Sequence, residues 1–382
     1  MTRFPYGLVL ISSLACGGSD AMVEEDALRQ QAVRDFVDVT LTTSVGEART
    51  ALLGLQTAAQ AYAEAPTADT RSATQEAWRQ AIAAWQVIEA MAAGPLGAPD
   101  GVVGGQPGGQ DLRDAVYSWP ATNACSIDRI TVADTHADVD ALAEANVNVR
   151  GLDALEYILF DDDLENDCSR RNPVNADGIW EAERANLEAR RARYSATIAT
   201  LLVREFDAVD TALESYSTTI RDTPNEFFPS AQEGLNSISD ALFYIDNTVR
   251  DVKSARIAGV AEDAGPEGRE SLYANVSISH IRANVVGFQR AFNGMEGGVG
   301  FADLLEDVGA TDLTTRMNQA IDTFLAEADA TGLRPVEDVL AEDANGLTTF
   351  HDNLRAITTL FKSEFLSVLD LEEPDGVPVD ND

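Results

Sequence analysis

Residues 148–160 have the sequence NVRGLDALEYILF, which predicts a helix that begins near Val149. Asp153 and Glu156 are three positions apart, so a helix places both carboxylates on one face, a turn apart. Two such groups can share one cation, and oxygen ligands suit iron, calcium, magnesium or manganese better than zinc. Without a cation the two carboxylates repel each other, and one should hold its proton more tightly. This segment is therefore the first candidate for a metal site.

The rest of the chain also has the apolar spacing of helices, and no alternating strand pattern of useful length occurs. A helix over residues 24–65 is followed by one capped by Asp69 or Thr70, whose apolar stripe includes Trp78 and Trp85 and predicts a buried face. Further helices are expected over 179–220, from Pro224 and Pro229 to 245, and over 271–292, 311–330 and 346–371, with loops at 94–109, 261–268 and 294–300.

The length of 382 residues and the break around residues 172–178 predict two helical domains. We place the N-terminal bundle at 24–173, the C-terminal bundle at 174–373 and a disordered acidic tail at 374–382. The fold class is all-α, because short connections between amphipathic helices favour bundles.

The formal net charge is −37, from 64 acidic and 27 basic residues. Such a field repels phosphate backbones, so nucleic acid is not an expected partner. Acidity alone identifies no metal site, because a solvated acidic surface also keeps a protein soluble.

The first residues indicate export. Arg3 precedes an apolar stretch from Phe4 to Ala15, which predicts a signal peptide over 1–15 that is too short to span a membrane. Cys16 follows small residues and begins a linker over 16–23, which looks like a bacterial lipoprotein signal, although Ser13 stands where Leu, Val or Ile is usual. We expect Cys16 to be lipidated and the protein to lie at the outer membrane facing the periplasm, with ordinary secretion as the alternative.

Two further cysteines, Cys125 and Cys168, should form a disulfide in an exported chain. Two unpaired buried thiols or a cysteine-based metal site are the alternatives.

The helix over 148–160 resembles the signature of the imelysin-like family, also called the M75 peptidase family. The family pattern is Gly-x-His-x-x-Glu followed by Tyr or Phe; Gly151, Glu156 and Tyr157 match it, and Asp153 stands in place of the histidine. Supporting positions are Tyr117, Ser118, Trp119, Pro120, Cys125, Asp128, Ser271, Ser277, Ile281, Asn284 and Gly287. The resemblance covers roughly residues 25 to 371. It implies two four-helix-bundle-like domains packed side by side, a cleft at the signature helix, and a role in iron or haem uptake.

A zinc peptidase needs three ligands and an activated water, but none of the three histidines has a partner at helical spacing. His280 is expected near the cleft and is kept as a third ligand beside Asp153 and Glu156, whereas His136 and His351 are expected to cap helices or lie on the surface. The two carboxylates could instead cap or pair with an arginine such as Arg150 or Arg282.

These observations favour a cell-envelope binding protein that captures iron, haem or another divalent cation in the cleft, where an envelope protein could also dock. An M75-type metallopeptidase and a metal-free module that binds a protein or peptide are the alternatives. No serine or cysteine nucleophile has a neighbouring base, and no phosphate loop follows a strand, so the residues give enzymatic activity little support.

Overall fold

A computed structural model describes residues 18–99, 105–261 and 268–374, with side chains from Asp26 onward. The predicted signal peptide over 1–15, lipidation at Cys16 and the tail residues 375–382 lie outside the described residues. Helix α1 begins at Gly18, within the stretch predicted as a linker.

The described residues are almost entirely helical, so the all-α prediction is confirmed. The helices are α1 Gly18–Asp35, α2 Thr42–Glu64, α3 Ala68–Glu89, α4 Leu112–Val116, α5 Ala124–Ala133, α6 Val139–Ala143, α7 Leu152–Phe160, α8 Pro173–Ala176, α9 Ile179–Glu183, α10 Leu187–Arg221, α11 Ala231–Leu242, α12 Ala255–Ala258, α13 Ser277–Asn293, α14 Phe301–Asp307, α15 Thr311–Ala330, α16 Val336–Glu342, α17 Gly346–Leu360 and α18 Leu366–Leu369.

Shorter elements join these helices. π-Helical segments at Phe36–Leu41, Ile245–Ser254 and Phe361–Phe365 continue neighbouring helices, and 3₁₀ turns lie at Gly94–Leu96, Val147–Val149 and Arg184–Asn186. The two-residue strands β1 Ala98–Pro99 and β2 Gly105–Gln106 pair in parallel, with Ala98 opposite Gly105.

Two predicted helix starts are wrong. The cap of α3 is Thr67, whose side chain accepts from the backbone N–H of Thr70, while the Thr70 hydroxyl accepts from the N–H of Thr67. This reciprocal pair satisfies two N–H groups that a helix start leaves open, which a single side chain at Asp69 or Thr70 could not do. Helix α13 begins at Ser277, so the residues from Ser271 to Val276 form a loop.

A large continuous apolar core runs through the described residues, and a separate small cluster is formed by Val132, Val174, Trp180 and Leu187. Helix α3 packs on both α2 and α13, and α10 packs on α2 and α7. Trp78 and Trp85 are fully buried in this core, as predicted. The division into two bundles at residue 174 stays a prediction, and α10 packs against helices from before it.

Helices α3 and α13 cross in close contact at Gly287. A β-carbon at this position would stand 2.1 Å from the carbonyl oxygen of Val87, well inside van der Waals contact. Glycine is therefore required if the two helices are to keep this distance.

Cys125 and Cys168 form a disulfide, which confirms that prediction. The bond fixes the loop after α7 to α5. Within the described ranges, no helix is long and apolar enough to cross a membrane.

Candidate functional site

Helix α7 carries the predicted site and is held at both ends. It begins after Gly151, which has a φ of +98° and lies so close to the end of α4 that a β-carbon would be 2.9 Å from the carbonyl oxygen of Val116. At the other end, Arg71 Nε and Gln75 Nε2 donate to the carbonyl of Leu159 at 2.9 and 2.7 Å. These donors satisfy a carbonyl that a helix end leaves open.

Asp153 ties the start of α7 to the loop after α4. Its Oδ2 accepts from Ser118 Oγ at 2.8 Å and from Thr122 Oγ1 at 2.7 Å, and its Oδ1 accepts from the backbone N–H of Ser118 at 3.3 Å. The residue is 4% exposed. Burial raises the pKa of Asp153, while the hydrogen bonds from Thr122 and Ser118 act against the increase.

Glu156 points toward the loop that precedes α13. Its Oε1 accepts from Ser271 Oγ at 2.9 Å and from the backbone N–H groups of Tyr273 at 3.0 Å and Ala274 at 2.9 Å. Within the described part of the chain, Oε2 accepts no hydrogen bond. Burial raises the pKa of Glu156 to about 7, although the Ala274 N–H and the nearby His280 favour the ionised form.

His280 reaches the same buried region from the first turns of α13. It is 1% exposed, and the centre of its ring lies 6.3 Å from that of Trp78 and 6.4 Å from that of Tyr117. Its Nδ1 lies 3.2 Å from Glu270 Oε2. Among the described residues, neither ring nitrogen of His280 has a hydrogen-bond partner of suitable geometry, and the same holds for Glu270 Oε2 and the hydroxyl of Tyr117.

Sequence reasoning missed the charged residues that surround His280. Lys253, Glu89 and Glu270 form buried ion pairs, with Lys253 Nζ 3.0 Å from Glu89 Oε2 and 2.7 Å from Glu270 Oε1. Burial alone would raise the pKa of Glu270, but Lys253 and His280 lower it to about 2. In the sequence, the one signal for this group is Lys253 at the end of an apolar stripe, and it looks like an ordinary surface lysine. We call Glu156, His280, Tyr117, Glu270 and Lys253 the central cluster.

The structure corrects several sequence expectations. Arg150 pairs with Glu205 and Arg282 with Asp329, so neither arginine pairs with Asp153 or Glu156. The prediction of an accessible cleft at Asp153 and Glu156 is also wrong for the described residues, because both side chains are nearly completely buried. The physical reason is that hydroxyl and backbone donors from two loops replace water around them.

The other two histidines lie away from the central cluster. His136 is buried and its ring stacks on Tyr194 with 4.8 Å between ring centres, so its predicted surface position is wrong, while its capping role stays a prediction. The apolar side of an imidazole packs well on an aromatic ring, which explains this placement. His351 is half-buried and its Nδ1 lies 3.2 Å from Ser254 Oγ.

A second buried carboxylate, Asp128, lies on α5 near the disulfide. The hydroxyl of Tyr157 donates to both of its oxygens at 2.9 Å, and the backbone N–H of Asp167 donates to Oδ2 at 2.9 Å. Arg191 lies 3.7 Å away and also pairs with Asp161 at 2.8 Å. Burial raises the pKa of Asp128 to about 7. We call these four side chains and the Asp167 amide the Asp128 cluster.

The central cluster has open donor atoms for a cation. The ring nitrogen His280 Nε2 makes no hydrogen bond to the described residues, and buried polar atoms without partners are rare in native proteins. The hydrogen bonds of Glu156 all end on Oε1, which leaves Oε2 for another contact. However, no group of three or more His, Cys, Asp or Glu side chains in the described ranges is arranged to hold a metal ion. The residues therefore fit a cation with few protein ligands, whose shell water completes, and do not form a closed cage.

The described residues thus form an all-α protein with a buried acidic centre between packed helices. Residues 43–363 match the family model described as Peptidase_M75: Imelysin. The chain belongs to the imelysin family.

Individual relatives are distant in sequence. The chain is 23% identical to Iron-regulated protein A of Synechococcus elongatus over 305 residues, which cover 80% of this chain and 72% of that protein. Its structure is similar to that of an imelysin-like protein from Psychrobacter arcticum, with a TM-score of 0.70, 15% identity and coverage of 91% and 97% of the two chains. A structure from Parabacteroides distasonis, described as an iron-regulated protein A precursor, matches with a TM-score of 0.64, 17% identity and coverage of 90% and 94%.

Proposed function

We propose that this protein binds a divalent metal ion, with iron as the physiological candidate, in the central cluster. Glu156 Oε2 and His280 Nε2 are the direct ligands, and Asp153 adds negative charge and a free lone pair on Oδ1. The supporting observation is that Glu156 and His280 are buried near each other, that His280 Nε2 has no hydrogen-bond partner among the described residues, and that the hydrogen bonds of Glu156 all end on Oε1.

The nature of these donors selects the class of ion. A carboxylate oxygen together with an imidazole nitrogen suits first-row transition metals, whereas calcium and magnesium prefer oxygen ligands throughout. A relative named Iron-regulated protein A and family membership make iron the first choice.

A single ion fits this location better than haem does. Asp153, Glu156 and His280 are each 4% exposed or less, so the packed helices leave them little contact with solvent. A planar macrocycle would require a cavity of several hundred Å³ at this point.

We further propose that the protein acts in the cell envelope, tethered through Cys16 after removal of residues 1–15. The support is the sequence pattern at the N-terminus and the description of one structural relative as a precursor. Labelling with a radioactive fatty acid in a bacterial host should mark the wild-type chain, whereas Cys16→Ser should remain unlabelled. Equal labelling of both would reject the anchor.

Calorimetric titration tests the metal site. Protein freed of metal by a chelator should bind Fe(II), added under anaerobic conditions, more tightly than Ca(II) or Mg(II). Glu156→Gln and His280→Gln should each weaken Fe(II) binding at least about tenfold, because each removes one of two direct ligands.

The control is Asp128→Asn, which changes a carboxylate that is also buried but is fully hydrogen-bonded. It should leave the affinity for Fe(II) unchanged. The proposal is wrong if wild-type protein does not bind Fe(II), or if all three variants bind it as wild type does.

A further inference from the structure

Lys253 lies inside the protein and contacts four oxygen atoms. Its ammonium nitrogen is 2.7 Å from Glu270 Oε1, 2.7 Å from Gln86 Oε1, 3.0 Å from Glu89 Oε2 and 3.1 Å from Asn284 Oδ1, and the side chain has no solvent exposure. An ammonium group has three N–H donors and no acceptor, so the four oxygen atoms share three hydrogens. Lys253 therefore fixes which way the Glu270 carboxylate faces.

Glu270 uses its two oxygens on different neighbours. Oε1 faces Lys253 and the amide of Gln86, whose Nε2 is 3.2 Å away, whereas Oε2 faces Nδ1 of His280 at 3.2 Å. The angle of this contact falls outside that of a hydrogen bond, so the distance carries the inference. Two lone pairs 3.2 Å apart would repel, and an ionised carboxylate has no hydrogen to donate, so the close approach favours a hydrogen on Nδ1 of His280. In a neutral ring the lone pair is then on Nε2, which has no hydrogen-bond partner among the described residues.

This arrangement is the one in which histidine binds metals. Metal-bound imidazoles usually donate their second ring N–H to a carboxylate, which fixes both the tautomer and the orientation of the ring. The aromatic neighbours Trp78 and Tyr117 further restrict the imidazole of His280.

We propose that Glu270 is a positioning residue that holds His280 as the Nδ1–H tautomer with its Nε2 lone pair directed into the central cluster, and that Lys253 holds Glu270 in place. The use of that lone pair as a ligand rests on the proposed function. The tautomer itself does not, and it can be measured without any metal.

The decisive variant is Glu270→Gln. Lys253 would draw the amide oxygen toward itself, so the amide NH₂ would face Nδ1 of His280. Because that NH₂ only donates, Nδ1 would have to accept and the ring would change to the Nε2–H tautomer.

The matched control is Glu89→Gln. Glu89 contacts the same ammonium at 3.0 Å, and the change removes the same charge. His280 forms its ion pair with Glu270, so the tautomer of His280 should not change in Glu89→Gln.

Long-range ¹H–¹⁵N spectra of metal-free, ¹⁵N-labelled protein at pH 8 would report the tautomer. The chain has three histidines, so a His136→Gln, His351→Gln background isolates the His280 signals. We expect Nδ1–H in the wild-type sequence and in Glu89→Gln, and Nε2–H in Glu270→Gln. Affinity for Fe(II) should fall about 10- to 100-fold in Glu270→Gln.

The wild-type spectrum tests the proposal even if Glu270→Gln fails to fold. A hydrogen on Nε2 of the His280 ring, whether the ring is neutral or charged, would overturn the proposal. Equal spectra of Glu270→Gln and Glu89→Gln would also overturn it. If the tautomers follow expectation but wild-type protein does not bind Fe(II), the positioning role of Glu270 is supported and the proposed metal-binding function is rejected.

Discussion

The Asp128 cluster and the central cluster are both buried, and each contains a carboxyl group whose pKa burial raises to about 7. They differ in how completely their polar atoms are paired. In the Asp128 cluster both carboxylate oxygens accept hydrogen bonds, and the positive charge of Arg191 lies 3.7 Å from Asp128 and 2.8 Å from Asp161. In the central cluster, the hydrogen bonds of Glu156 all end on Oε1, and His280 Nε2 has no hydrogen-bond partner among the described residues.

The comparison shows that burial and a raised pKa do not by themselves mark a functional site. Burial and a raised pKa both occur in the Asp128 cluster, whose polar contacts all lie within the protein. Polar atoms without a hydrogen-bond partner distinguish the central cluster from the Asp128 cluster, because a protein gains no stability by leaving buried polar atoms unpaired.

Removal of the disulfide should have the largest effect and should act on the Asp128 cluster. The bond closes a loop with a sequence separation of 43, and a Cys125→Ala, Cys168→Ala variant should lose about 4 kcal/mol of unfolding free energy in the chain-entropy model. Denaturant titration measures this loss.

Amide hydrogen exchange shows which part of the protein the loss of the disulfide affects. The Asp167 amide, which donates to Asp128, should exchange faster in the double variant, while the Tyr273 and Ala274 amides at Glu156 should stay protected. Equal loss of protection in both regions would mean that the clusters are not independent.

The pH dependence should be the next largest effect. Asp128 titrates near 3.8 when unfolded and at about 7 when folded, so between these values the folded state binds more protons and stability falls as pH rises. From pH 5 to 6.5 Asp128 should contribute a fall of about 2 kcal/mol.

The comparison with Asp128→Asn isolates this contribution. In metal-free buffer, the variant should show a shallower slope of unfolding free energy against pH than wild type, because an amide does not titrate. An unchanged slope would show that Asp128 is ionised throughout this range.

The smallest effect on stability should come from Glu156→Gln. The amide oxygen can still accept from Ser271 and from the two backbone N–H groups, so metal-free unfolding free energy should change by less than about 1 kcal/mol. The same variant should lose Fe(II) binding. A large destabilisation with intact metal binding would reverse the roles assigned to the two clusters.

The fold could be predicted largely from the sequence, because long amphipathic helices depend on local spacing. The stripe containing Trp78 and Trp85 and the long helical pattern after residue 179 both appear in the structure. Predicted helix starts were less accurate at Thr67 and Ser277, where caps and loop contacts decide the first residue.

The site could be predicted only in part. The motif points to Asp153 and Glu156 and the two cysteines predict the disulfide; the structure confirms the disulfide and brings His280 near Glu156. Lys253 and Glu270 could not be found, because they contact each other and Glu89 only after segments from distant parts of the chain pack together. Their types are those of ordinary surface residues, and nothing local indicates that they are buried.

The crossing of α3 and α13 at Gly287 helps to set where His280 lies. The backbones are too close there to approach further and are held by hydrogen bonds from Asn284 Nδ2 to Gln86. His280 lies seven residues away, about 10 Å along the helix axis. The absence of a side chain at one position of α13 therefore helps to hold an imidazole two turns away at its distance from Glu270.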